Sequence, residues 1–424
     1  MAVIVTLLVG TVPAFQITRR SHVSALERRG SSAGVTSIRW REGLVIAEVA
    51  LACVLVVAGG LLLRSFQNVL DVELGFEPDQ LAVWRLSTTS DFETPAEVDT
   101  YFKQITSEVA ALPGVTSVGL VDAVPLGRNR TWSVSAPGMT YEEGASNFAI
   151  FPHLIDLDYL ETMEIPLIAG RLFTASDNEE RGHVVILNET AARVVYGGED
   201  PLGRVITLAG EDAEIIGIVG DIRHVSLEAG AGAQAYFHIA QRPNFLSLDM
   251  AIRSSMAIES LAGGVASAIH SVEPGMPATE YETLTHVVDR SVSPRRFTLQ
   301  VLVGFALVAV VLAGLGIYSV FSYSVTERMR EIGIRMALGE TGAGVLRRVL
   351  GRTVSLAAIG LVFGLIGSLT VSRWLGSMLY DVQPTDPRTL AIMAGVLLVV
   401  AVLAGLFPAL RAARTRAASV LWTT

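Results

Sequence analysis

Residues 324–350 read "SVTERMREIGIRMALGETGAGVLRRVL" and hold the densest run of mixed charge in this 424-residue chain. Glu327, Arg328, Arg330, Glu331 and Arg335 alternate in sign, with Ile332, Ile334, Met336 and Leu338 set between them. Side chains of this kind on a short helix suit a groove on a partner protein. A basic stretch that only fixes the orientation of a neighbouring membrane helix is the competing reading. Gly339 permits a sharp turn after the run. The metal and nucleotide patterns are missing: no GxxxxGK[ST], HExxH or CxxC occurs in the chain. His22, His153, His183, His224, His238, His270 and His286 show no ligand spacing and read as ordinary surface or core histidines. The expectation is a non-enzymatic chain with no catalytic residue, cofactor or metal, whose chemistry is recognition.

Elements that could position such a run follow from composition. Hydrophobic residues make up 51% of the chain and charged residues 17%, with a mean hydropathy of +0.49, too apolar for an ordinary soluble enzyme. The excess falls in blocks at 43–63, 297–323, 354–371 and 390–410, each long enough to cross about 30 Å of hydrocarbon. Cys53, the one cysteine, lies in the first block, so no disulfide can form within the chain. Residues 65–295 hold 33 Asp plus Glu against 13 Lys plus Arg. Basic residues outside that segment cluster at 19–41, 328–348 and 411–416, which the positive-inside tendency places in the cytoplasm. One alternating path satisfies every segment and puts 65–295 outside. The midplanes of the blocks are almost free of charge, and only Glu48 lies within one, near its end.

The outer segment reads as α+β. "LAVWRLST", "VTSVGLV", "HVVILN", "RVITLAG", "AEIIGIVGDI" and "LSLDMAI" have the apolar runs and alternation of strands. Residues 94–114 form an amphipathic helix, with Val98, Phe102, Ile105, Val109 and Leu112 on one face, a Thr94–Glu97 capping box and Pro113–Gly114 as the stop. "NETAARVVYGG" and "SSMAIESLAGGVASAIHSV" supply two more helices.

The chain's last phrase, "GLFPALRAARTRAASVL", echoes its first, "GTVPAFQITRRSHVSAL". With no basic residue ahead of it and Arg19 and Arg20 behind it, block 2–15 reads as the end of a truncated membrane helix; a signal peptide is the alternative.

Residues Arg330 to Gly339 resemble the REIGIRKALGA-type stretch of FtsX-like ABC permeases, with Met336 where Lys is usual and Glu340 where Ala is usual. "LPGVTSVGLVDAVPLG", "IPLIAGRLF", "VVILNETAARVVYGGEDPLGRVI" and "AEIIGIVGDIRHVSL" resemble the MacB-like periplasmic core domain. The expected fold is a multi-span α-helical membrane protein with a large extracytoplasmic α+β domain. The expected division is a partial transmembrane helix (1–18), a cytoplasmic basic linker (19–42), a transmembrane helix (43–64), the extracytoplasmic core domain (65–295) and a permease domain with three transmembrane helices (296–424). The resemblance implies a multi-pass protein of the cytoplasmic membrane, the permease subunit of an export-type ABC transporter working by mechanotransmission. A separate cytoplasmic ATPase would dock on a coupling helix comprising Glu327, Arg328, Arg330, Glu331, Gly333, Arg335, Ala337 and Gly339. A dimer of permease units and an extracytoplasmic partner protein are further expectations, and no nucleic acid is implied. Gly360 and Gly364 form a GxxxG pair suited to packing within one subunit or at a dimer seam. A membrane receptor or regulator of envelope proteins that transports nothing is the alternative function, since a fold does not settle a function.

Overall fold

The computed structural model describes residues 32–87, 92, 95–136, 148–178, 182–241, 247–276 and 281–414. The capping residue Thr94 and the opening helix 1–18 fall outside these residues. The chain divides into two compact units, Met1–Arg64 with Leu299–Thr424, and Ser65–Thr298. The first described element, α1 (Ser32–Leu70), starts within the stretch expected to be linker. No proline lies between Ser32 and Glu42, and the helix extends backwards through those residues despite Gly34.

Within Ser65–Thr298 the strands and helices follow as β1 (Leu81–Ser87), α2 (Pro95–Ala110), β2 (Val115–Val121), β3 (Trp132–Ser135), β4 (Phe148–Ile155), α3 (Tyr159–Thr162), β5 (Leu167–Gly170), β6 (Val184–Asn188), α4 (Glu189–Tyr196), β7 (Val205–Leu208), β8 (Glu211–Val219), β9 (Gln234–His238), β10 (Ser247–Ser254), α5 (Ile258–Val272) and β11 (Tyr281–Thr283). The sheet order begins β11-β1-β10-β2 with antiparallel pairing, Trp84 opposite Met250 and Met250 opposite Leu120. It continues β4-β3-β7-β8-β6-β9, and a parallel β4–β9 ladder closes those six strands into a ring.

Alternation along each strand divides the side chains between two cores, one on each face of the sheet. Ala82, Trp84 and Leu86 join the α2 face Val98–Phe102–Ile105–Val109 and the α5 residues Leu261, Val265 and Ile269. Leu81 and Val83 turn the other way, toward Tyr159, Leu160 and Leu284. Strands β1 and β10 are therefore buried on both faces, which is why they read as near-continuous apolar runs.

A polar cluster is enclosed in this unit. His153 on β4 and His224, in the loop after β8, are each 2% exposed with ring centroids 4.2 Å apart. Among the described residues, His153 Nε2 and His224 Nδ1 have no hydrogen-bond partner. Buried Asp122 accepts from the Leu154 amide at 2.8 Å and pairs with Arg130 at 2.5 Å. Burial holds both imidazoles neutral, His224 at a pKa of about 4 and His153 well below its usual value. The same burial lifts the Asp122 carboxyl to about 6 and Asp156 to about 7, outweighing the Arg130 charge at Asp122.

The chain then enters α6 (Leu284–Glu327), followed by α7 (Met329–Ala337), α8 (Gly342–Leu375) and α9 (Pro387–Ala413). Helices α1, α6, α8 and α9 are long and apolar enough to cross a membrane. In the bundle that the first unit forms from them, 56% of the apolar stretch of α1 is buried, against 11% in α6, 33% in α8 and 17% in α9, so α1 is the central helix. Small residues set the spacing around it. A side chain at Gly360 of α8 would lie 2.8 Å from Val49 Cβ and 3.0 Å from Ile46 O. One at Gly364 would collide with Cys53 and lie 2.9 Å from Ala50 O. On α6, Gly316 gives room to the Glu48 carboxylate, and Gly60 of α1 receives Met393 of α9. Ion pairs join helices near both ends: Arg64 of α1 with Asp386 at the start of α9, and Glu42 of α1 with Arg352 of α8 at 2.5 Å. The outward faces are apolar, with Phe305 and Leu307 on α6, Phe363 and Ile366 on α8, and Phe407 on α9 exposed, as suits hydrocarbon surroundings.

Each packing can be tested by substitution. A neutral buried histidine contributes stability that is lost as pH falls below its unfolded value near 6.5, because only the unfolded chain takes the proton; each group contributes up to about 1.4 kcal/mol per pH unit. Carboxyls with raised pKa act oppositely, giving stability at low pH that is lost as pH climbs through about 6 to 7. The two pairs oppose each other in the wild type. Replacing a histidine, as in His224→Phe, should make the domain gain stability on acidification, whereas Asp156→Asn should make it lose stability. Hydrogen exchange in β4 and β9, each variant compared with wild type at the same pH from 7 to 5, checks the sign, and equal curves would refute it. In the bundle, Gly364→Leu should cost about 1–3 kcal/mol by overpacking, lowering the thermal midpoint in detergent. Gly395→Leu should leave it unchanged, since Gly395 is exposed and nothing lies within 4 Å of the Cβ it would add.

Candidate cytoplasmic coupling site

Arg328 alone separates α6 from α7, and its backbone leaves helical geometry with φ −97° and ψ 11°. At its other end α7 stops on Leu338 and Gly339. The Gly339 amide bonds Met336 O at 3.1 Å and the Glu340 amide bonds Arg335 O at 3.0 Å, while Gly339 takes φ +104°. This pair of bonds needs a left-handed residue after the cap, which glycine adopts at least cost. Thr341 then caps α8, its side chain accepting from the Gly344 amide at 3.3 Å. A helix of nine residues is thus held at both ends by defined turns.

Its apolar residues divide by face. Met329, Ile332 and Met336 pack against Val325 of α6, Val345 and Val349 of α8 and Ala412 of α9. Spacings of three and four residues put those three on one side of the helix. Ile334 and Leu338 share the opposite side and are exposed, at 46% and 83%. No membrane block contains them. Together they make a two-residue apolar knob at the cytoplasmic end of the bundle, where solvent would otherwise meet it.

The charged residues Glu327, Arg328, Glu331 and Arg335 are exposed, as are Ile334 and Leu338. Glu331 and Arg335 pair with each other, one helical turn apart. With Arg328 they line a cavity of about 530 Å³ whose remaining wall comes from α1, α6 and α8. Glu327 is exposed at the end of α6 and, like Arg328, makes no ion pair among the described residues. Gly333 is buried within α7, Ala337 is its exposed last residue and Gly339 forms the turn. The side chain of Arg330 lies outside the described residues. Gly360 and Gly364 are remote from this group and face α1 of the same chain. The coupling of Ile334 with Leu338 was legible as i, i+4 spacing, but the sequence alone did not separate them from Ile332 and Met336.

Among the described residues no group of three or more His, Cys, Asp or Glu could hold a metal ion. The arrangement offers a docking face and a cavity.

The family described as MacB-like periplasmic core domain matches residues 43–268, and that described as FtsX-like permease C-terminal matches residues 303–417. A protein from Mannheimia succiniciproducens named macrolide export ATP-binding/permease protein MacB is 23% identical over 270 residues, covering 60% of this chain and 41% of that protein. One of the same name from Chlorobium luteolum is 24% identical over 302 residues, covering 69% of this chain and 43% of that protein. The chain thus spans about two fifths of the length of these relatives. Among solved structures, the periplasmic region of MacB from Actinobacillus actinomycetemcomitans aligns at 14% identity and a TM-score of 0.36, covering 53% of this chain and 97% of that one. The extracellular domain of the noncanonic ABC-type transporter YknZ aligns at 14% identity and a TM-score of 0.32, covering 47% and 98%. With one domain matched over residues 43–268 and the other over 303–417, the chain belongs to the family of ABC permeases that join a MacB-like periplasmic core domain to an FtsX-like membrane domain.

Proposed function

We propose that this chain is the membrane and extracytoplasmic part of an export-type ABC transporter, moved by ATP hydrolysis on a separate ATPase subunit. The observation that carries the reading is the Ile334–Leu338 knob, presented on a short helix capped at both ends. An ATPase that binds this knob can push on α7. Through the single residue Arg328 the displacement passes to α6, which is helical from Leu284 to Glu327 and whose first turns belong to the outer unit. Internal packing of Met329, Ile332 and Met336 makes α7 move with the ends of α8 and α9 and not alone. The spans lack the buried midplane charges common in alternating-access carriers, which favours transmitted motion over passage of cargo through the bundle. The outer unit is then the working part, and the division into 43–64, 65–295 and 296–424 follows as its functional plan. The relatives' names print macrolide export; for this chain we propose export with the cargo class open. A dimer of permease units around one ATPase pair fits this scheme.

Leu338→Asp should abolish recovery of the ATPase with the full chain from native membranes in mild detergent, lowering it about tenfold or more, with ATP hydrolysis in the eluate falling equally. Exchanging the paired charges, Glu331→Arg with Arg335→Glu, should change recovery far less. Full recovery with Leu338→Asp would remove the knob as the dock. Absence of any ATPase from the wild-type preparation would favour the receptor or regulator reading.

A further inference from the structure

The cavity beside α7 has a lining that docking of an ATPase does not explain. Its wall descends from the cytoplasmic ends of the helices into the spans: Arg328 and Arg348 lie at the ends, while Phe321 of α6 and Ser355 and Leu356 of α8 lie within the apolar blocks. Seven residues separate Phe321 from Arg328, about 10 Å of helix, so the space straddles the depth at which lipid headgroups meet acyl chains. The lining carries four arginines (328, 335, 348, 352) against three glutamates (42, 331, 340), a surplus of one positive charge. Each glutamate already has an arginine: Glu42 with Arg352, Glu331 with Arg335 and Glu340 with Arg348. Arg328 is the remaining cation and makes no ion pair among the described residues. The deeper wall, Phe321, Val325, Val349 and Leu356, is apolar.

We propose that this cavity binds an anionic phospholipid of the inner leaflet, its phosphate on Arg328 and the upper part of one acyl chain against Phe321, Val349 and Leu356. A volume of about 530 Å³ is in the range of small-molecule sites and holds a headgroup with a short length of chain. Basic pockets between spanning helices on the cytoplasmic side are suited to such headgroups by charge and depth. A free phosphate would satisfy Arg328 but leave the apolar wall against water, and a zwitterionic lipid would satisfy the wall but bring no net charge to the surplus arginine. The site uses Glu331 and Arg335 as part of its rim, which gives these residues a role apart from ATPase contact. A lipid seated there packs against α7 and sets its position at rest. The inference does not depend on an ATPase and is tested without one.

The full chain is reconstituted in vesicles of equal phosphatidylglycerol and phosphatidylcholine, re-extracted in mild detergent, washed, and the lipid retained per chain is measured by mass spectrometry. Wild type should retain phosphatidylglycerol in preference to phosphatidylcholine. Arg328→Gln should lower the retained phosphatidylglycerol about fivefold, and Arg328→Lys should keep most of it. Ser355→Phe, which fills the cavity from an exposed position, should lower it without touching a charge. Arg388→Gln, at the start of α9, should have no effect. All variants are compared only as monodisperse protein. Equal retention in Arg328→Gln and Ser355→Phe would overturn the site. Equal retention of the two lipids by wild type would overturn the anionic headgroup, and displacement by inorganic phosphate alone would assign the cavity to a free anion and overturn the lipid.

Discussion

Close approach of helices around α1 is the constraint on which the membrane unit depends. In hydrocarbon no hydrophobic force gathers apolar helices, so their association rests on contact between surfaces that fit. Gly360 and Gly364 let α8 lie against Ile46, Val49, Ala50 and Cys53; Gly316 lets α6 lie against Glu48; Gly60 lets α9 insert Met393. A single added methyl group at Gly364 would be felt by two helices. The ion pairs Arg64–Asp386 and Glu42–Arg352 lie near the ends, where partly exposed charges keep access to water and add register to contacts that apolar packing leaves loose.

That packing gives α7 a firm support. Its inner face is held by residues from α6, α8 and α9 at once, and the turn at Gly339 leads directly into the capped start of α8. The exposed pair Ile334 and Leu338 is therefore carried on a structure whose displacement must displace spanning helices. Beside the same helix, three ion pairs and one surplus arginine surround a space at headgroup depth. Protein contact is assigned to Ile334 and Leu338, and lipid contact to the neighbouring cavity that Arg328, Glu331 and Arg335 help to line.

The spans were legible because an unbroken apolar run of about 18 residues or more is long enough for hydrocarbon and too long for most buried core helices. Strands β1, β2, β6, β7, β8 and β10 were legible as short apolar or alternating runs between turn residues. Strands β3, β4, β5, β9 and β11 were not. β9, "QAYFH", is wholly buried yet carries Gln234 and His238, whose partners include residues far along the chain: Gln234 donates to Ile222 O at 2.8 Å and His238 Nδ1 lies 3.1 Å from Asp177 O. β5 and β11 are four and three residues long and depend on the neighbours they pair with. At the coupling site the sequence revealed a mixed helix, but its inward and outward apolar residues alternate closely enough that only the packing of Val345, Val349 and Ala412 divides them. Glu331 and Arg335, chosen for their charge, are also each other's partners, which their i, i+4 spacing allows.

The most direct test of the account places a photoreactive amino acid at single positions of α7 in native membranes and identifies what it captures on illumination. From position 338 it should capture a protein that carries a phosphate-binding loop, and capture should change when ATP is bound; from position 332, which lines the cavity, it should capture this chain or the lipid seated there, and no ATPase. Capture of lipid alone from position 338, or of the ATPase equally from 332 and 338, would contradict the assignment of the exposed face of α7 to the motor.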